Sequence, residues 1–124
     1  MMTLRDIIAW LQPCPVFDGE PLIPNFLPSH KGWSITADRQ FVRTDILGSR
    51  STQRRLKITR RITVPDADIR LAVLEQLEDL AVWARENPPE DGSIRLTGLP
   101  EFQSRASSGT EDFTVYLTIE SDAF

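Results

Sequence analysis

The stretch from Pro65 to Asn87 constrains the fold most, because it carries a helical repeat and is bracketed by segments with a strand repeat. Ile69, Val73, Leu77, Leu80 and Ala84 recur every three or four residues, and Leu74, Ala81 and Trp83 widen the stripe. Glu75, Glu78, Asp79 and Arg85 fall outside it. Pro65 fixes the approach, and Asp66 and Asp68 stand where the first amides and the positive end of the dipole favour acceptors. Asn87-Pro88-Pro89 ends the helix before the turn Glu90-Asp91-Gly92. An apolar stripe this long has to be covered by another layer.

Alternation on both sides supplies that layer. Leu56, Ile58, Arg60, Ile62 and Val64 mix with Lys57, Thr59, Arg61 and Thr63, and Phe113, Val115, Leu117 and Ile119 alternate with Thr114, Tyr116, Thr118 and Glu120. Trp33 to Ala37, Phe41 to Ile46, Ser93 to Leu99 and Glu101 to Ser107 read as further strands. The small, polar, basic cluster Gly48-Ser49-Arg50-Ser51-Thr52 reads as an exposed loop, and Ser107-Ser108-Gly109-Thr110 as a turn. Thr3 to Gln12 predicts a short helix capped by Thr3, with Leu4, Ile7, Ile8 and Leu11 on one side and Pro13 and Pro15 stopping it. From Pro13 to Pro28 five prolines and Gly19 punctuate the chain around Leu22, Ile23, Phe26 and Leu27, which predicts an irregular or edge-strand segment. The expected fold is α+β: a mostly antiparallel sheet with a long helix packed across one face and a short N-terminal helix.

With 124 residues the chain suits one domain spanning 1–124. Its longest apolar stretches, such as Ile7 to Leu11, are far shorter than the roughly 20 residues that cross a bilayer, so no membrane partner is expected. The start of the chain shows no secretory signal, and Cys14 is the sole cysteine, which excludes an intrachain disulfide and a Cys-rich zinc site. A reducing cytoplasm is the expected place of synthesis and action.

Groups able to transfer protons, attack or ligate are few. His30, the only histidine, lies in the polar turn Pro28 to Gly32, without a neighbour to orient it. Cys14, between two prolines, has no basic neighbour to lower its pKa and reads as a small buried hydrophobe. Asp66 and Asp68 are explained by a helix start, and Asp18 and Glu20 by the turn at Gly19. There is no phosphate loop, dinucleotide glycine pattern or nucleophile elbow. A non-enzymatic protein with no catalytic residue, metal or cofactor is therefore expected.

Charge is the unusual feature. From Arg39 to Arg61 eight basic residues face the single acid Asp45, a local charge of +7, so a net charge of −4 leaves −11 on the rest. Such a segment reads as a solvated sheet face and loop, or as a surface for an acidic protein or a nucleic-acid backbone. Aromatic residues are not interleaved with the arginines as a stacking platform requires, which favours protein. The alternative is a small nucleic-acid-binding accessory protein using residues 39–61. In a homo-oligomer two oppositely charged surfaces suit a head-to-tail contact, which closes into a ring where the rotation permits.

The order of landmarks resembles the minor-capsid or tail-terminator proteins of long-tailed phages and prophages along most of the chain. The residues that carry this are Ile8-Ala9-Trp10-Leu11 in the opening helix, Phe17-Asp18-Gly19-Glu20 leading to Asn25-Phe26-Leu27-Pro28, the strand Leu56 to Val64 after a Gly-Ser loop, Leu80-Ala81-Val82-Trp83-Ala84 closing the long helix, and the alternating strand from Phe113. The chain departs from the family at the end of the central strand, where Arg61-Ile62-Thr63-Val64 replaces a Glu-Tyr-Tyr-like sequence. The resemblance implies a homo-oligomer, a hexameric ring in the virion tail, assembled in the host bacterial cytoplasm. Such a ring ends the tail tube and joins it to the head connector, so the tube and connector proteins are the implied partners, with transient contact to DNA in the lumen. Arg50, Arg54, Arg55, Lys57 and Arg61 are the expected contacts with a neighbour, the tube or that DNA.

Overall fold

The computed structural model describes residues 3–26, 31–44, 46–48, 50–63, 66–89, 93–97, 101–107 and 109–122, with side chains described outside 38–44, 50–52, 93–97, 101–107 and 121–122. The first helix, α1 (Leu4–Leu11), starts at the expected cap. The Thr3 hydroxyl accepts from the Asp6 amide at 3.2 Å while the Asp6 carboxylate accepts from the Thr3 amide at 2.9 Å. The two residues thus satisfy each other's otherwise orphaned donors. Ile7 and Leu11 are buried, and a single 3-10 turn, Pro15–Phe17, then drops Cys14 and Phe17 into the core. Asp18 and Gly19 leave that turn with positive φ, 46° and 79°, reversing the chain.

The edge strand anticipated among the prolines is β1 (Leu22–Pro24), which runs parallel to β2 (Gly32–Thr44). Gln12 stitches the end of α1 to this edge: its amide donates to the Glu20 carbonyl at 2.8 Å, and its side-chain oxygen accepts from the Leu22 amide at 3.0 Å. β2 is one strand where two were expected, Trp33 to Ala37 and Phe41 to Ile46. A shift of register between Ala37 and Arg39 absorbs the polar interruption, after which pairing with β3 (Arg50–Thr63) resumes out to Thr44 opposite Arg50. β3 itself begins inside the segment read as a loop. Ser51 and Thr52 gain ladder partners on both sides, in β2 and at Asp122 and Ser121, and that pairing outweighs their turn-like composition.

α2 (Ala67–Glu86) is capped by Asp66, whose carboxylate accepts from the Ile69 amide at 2.9 Å, and it stops at Asn87 as expected. β4 (Ser93–Thr97), β5 (Glu101–Ser107) and β6 (Thr110–Asp122) complete the chain. Among the described residues the sheet has six strands in the order β1-β2-β3-β6-β4, with β5 also paired to β6. β4 and β5 meet different stretches of β6, residues 117–120 and 110–114. Among the described strand pairs only β1–β2 is parallel, so the fold is α+β with a mostly antiparallel sheet, a long helix and a short N-terminal one.

The core lies between the helices and one face of the sheet. Trp33 and Ile35 of β2, Leu56, Ile58 and Ile62 of β3, and Phe113, Val115, Leu117 and Ile119 of β6 meet Val73, Leu77, Leu80, Ala81 and Ala84 of α2. Phe17 packs edge-on to Trp33 with ring centroids 4.8 Å apart. Trp10 tilts against Trp83 and donates from Nε1 to the Asn87 carbonyl at 2.7 Å, fastening the end of α1 to the end of α2. Ile69, read as part of the buried stripe, is exposed at the first turn of α2.

Candidate interaction surface

The two faces of β3 treat its cations differently. On the face turned from the helices, Arg61 lies opposite Asp112 in the ladder. Its guanidinium donates twice to that carboxylate, Nε to Oδ1 at 2.7 Å and Nη2 to Oδ2 at 2.9 Å. Only 16% of the Arg61 side chain and 7% of the Asp112 side chain remain exposed. The hydrogen bonds it donates to Asp112 hold the guanidinium pKa above its ordinary value. Two residues along, the buried hydroxyls of Thr59 and Thr114 are 3.4 Å apart, and the Arg55 guanidinium sits 3.9 Å from the centre of the Tyr116 ring.

On the helix-facing side, Arg60 occupies the register position between Trp33 and Phe113. A cation among core residues needs partners. Here its guanidinium lies over the Trp33 ring at 4.9 Å and donates from Nη1 to Glu20 at 2.9 Å. The same Glu20 oxygen accepts from Trp33 Nε1 at 3.2 Å, so one carboxylate from the turn before β1 joins the two. Arg60 Nε is buried without a hydrogen-bond partner among the described residues.

Of the five expected contact residues, Arg61 holds Asp112 of its own chain. Arg54 and Arg55 are half-buried, Arg55 over Tyr116 and Arg54 opposite Ile119 in the ladder. Lys57 is half-buried opposite Tyr116. Arg50 opens β3 opposite Thr44, and its side chain lies outside the described ones.

The sequence reading missed the tip of the β2–β3 hairpin. Ile46 is 99% exposed and Leu47 89% exposed, in the turn that ends at Gly48, whose φ is +85°. Two large aliphatic side chains side by side in water are costly unless a partner covers them. The signal was present in Gly48, a residue type that a turn with positive φ favours. Arg43 and Arg50 occupy strand positions on either side of that turn.

Three of the remaining candidates, Cys14, Asp66 and Glu20, have structural roles. Cys14 is buried in the core, and burial pushes its thiol pKa up, away from reactivity. Asp66 is the cap of α2 and Glu20 the partner of Arg60; His30 lies outside the described residues. Among the described residues no group of three or more His, Cys, Asp or Glu side chains converges as a metal ion requires. No described helix is long and apolar enough to cross a membrane. An α+β domain whose basic hairpin ends in exposed aliphatics is the class that fold and surface define. Compared with models of known protein families and with curated proteins, the chain matches none.

Proposed function

We propose that this chain is a non-enzymatic structural protein of a phage or prophage tail, forming a ring that ends the tail tube and joins it to the head connector. The observation that carries the reading is the hairpin tip. Ile46 and Leu47 stand exposed at the end of two paired strands that hold Arg39, Arg43, Arg50, Arg54, Arg55 and Lys57. An apolar tip on a charged stem serves subunit contact: the charges orient the approach and the aliphatic side chains provide area to bury. The resemblance of the landmarks from Ile8 to Phe113 supplies the tail, the tube and connector partners, and the number six. A ring subunit also needs a body that stays rigid under load, and the helix-covered sheet with its Arg61–Asp112 and Arg70–Glu111 clasps is suited to that.

Electron microscopy and light scattering of the purified protein, alone and with a tail-tube protein, test the reading. Closed rings in either condition support it, and monomers in both overturn it. The competing assignment, nucleic-acid binding by residues 39–61, has less support. Arg60 and Arg61 already engage Glu20 and Asp112, and the Tyr116 ring that a base could stack on carries Arg55. A salt titration of duplex DNA binding separates the two, because several phosphate contacts give a steep salt dependence.

A further inference from the structure

We infer that the outer face of α2 is the seat for the β2–β3 hairpin tip of a second copy of this chain; the inference rests on the assembly reading above and names the contact. Leu71, Glu75, Glu78 and Val82 follow one another at helical spacing on the side of α2 opposite its buried residues Val73, Leu77, Leu80 and Ala84. Leu71 is 58% exposed and Val82 41% exposed, and Asp68, Asp79 and Glu86, all exposed, flank them with Glu75 and Glu78. The surface is thus two aliphatic residues set among five acids and one base, the exposed Arg85 of the last turn. The hairpin offers its inverse: two aliphatic residues, Ile46 and Leu47, between the basic strand positions Arg43 and Arg50.

The dimensions agree. Leu71 and Val82 are eleven residues apart, about 16 Å along the helix axis. Two paired strands lie about 5 Å apart, so a hairpin end fits between them. Seated there, it brings the arginine positions over Glu75 and Glu78. The chain cannot make this contact with itself, because its hairpin is held in the sheet by the ladders to β6 while the outer face of α2 points away from that sheet. A contact between two different surfaces leaves one of each unused on every dimer, so it propagates until a ring closes.

The test has two parts. Light scattering on the intact chain follows assembly of Ile46→Ser with Leu47→Ser, of Leu71→Ser with Val82→Ser, and of Glu75→Arg with Glu78→Arg. Each pair is exposed, so circular dichroism should show the folded spectrum of the parent, and each should weaken self-association by on the order of tenfold or more. Adding Arg43→Glu with Arg50→Glu to the Glu75→Arg, Glu78→Arg protein should restore most of that loss. In a Cys14→Ser background, mixing an Ile46→Cys protein with a Leu71→Cys protein should give a disulfide-linked heterodimer. Rings that form equally well in all three variants, with no such crosslink, overturn this contact and leave the ring reading standing. Failure of the parent chain to associate at all, with or without a tube protein, overturns both. Loss of DNA binding without loss of self-association in the Ile46→Ser, Leu47→Ser protein assigns the tip to nucleic acid and also overturns the inference.

Discussion

Arg61 and Asp112 face each other across the β3–β6 ladder and close a two-pronged clasp, with N···O distances of 2.7 and 2.9 Å, on the opposite face of β3 from the core residues Ile58 and Ile62. The clasp sits beside the buried Thr59–Thr114 pair and holds the central two strands in register. Removing one partner strands the other in a poorly hydrated place. Arg61→Ala should therefore cost about 3 kcal/mol in urea unfolding, and Arg61→Met with Asp112→Leu considerably less than either single change to alanine. A loss below about 0.5 kcal/mol for Arg61→Ala would place the guanidinium in solvent and return it to the pool of interface residues.

A second clasp fixes where α2 begins. Arg70 donates from Nε and Nη2 to the two oxygens of Glu111, at 2.8 and 2.7 Å, from the first turn of the helix to the start of β6. Glu111 is buried while Arg70 is partly exposed, so the two ends of the pair are not equivalent. Arg70→Ala leaves an unpaired carboxylate in the protein and should lower the urea midpoint; Glu111→Gln, which keeps an acceptor, should lower it less. Hydrogen exchange should show the added opening concentrated in the first two turns of α2, since Trp10 and Trp83 still hold its far end.

Arg55 and Tyr116 set the limit on how far charge reversal in β3 can be read as an assembly effect. With the guanidinium 3.9 Å from the ring centre, Arg55 contributes to the fold as well as to the surface charge. A double-mutant cycle with Arg55→Ala and Tyr116→Leu should give a coupling of about 0.5–1 kcal/mol in thermal or urea unfolding. Additive effects would mean that the ring contact contributes nothing. Arg55→Glu is expected to lower stability as well as assembly.

The parts of this fold written in local chemistry were legible in the sequence. Thr3 and Asp66 as caps, the proline stop at Asn87 and the apolar alternation from Leu56 and Phe113 all depend on neighbours three or four residues away at most. What depended on distant partners was not. Residues Asp38 to Gln40 look like a break because they are polar, yet β2 runs on through them as its register against β3 shifts. Arg50 to Thr52 look like a loop, yet β2 recruits all three and β6 also pairs with Ser51 and Thr52. The basic run was visible, but a count of charges cannot say that Arg60 is covered by Trp33 and Glu20, or that Arg61 is held by an aspartate 51 positions later. The hairpin tip was obscured for the opposite reason: Ile46 and Leu47 are the residue types that normally end a buried strand.

The cap of α1 gives the fold a dependence on acid that can be worked out in sign. Backbone and side-chain hydrogen bonds from Thr3 hold the Asp6 carboxyl below its ordinary pKa, with a smaller push from the nearby Arg5. A carboxylate depressed in the folded state stabilises fully above its unfolded value, about 3.9, and loses that contribution as the pH falls through the folded one. Protonated, Asp6 can no longer accept as a charged group from the Thr3 amide, and the capping box keeps only the hydroxyl half. The parent chain should therefore be more stable than Asp6→Asn at neutral pH, with the gap in urea midpoint narrowing below pH 4 and nearly closed near pH 2. Because α1 is tied to α2 through Trp10 and Asn87, the loss should appear in the global transition as well as in fraying of the first turn. A gap that is constant across this range would mean that Asp6 makes no charged contact in solution.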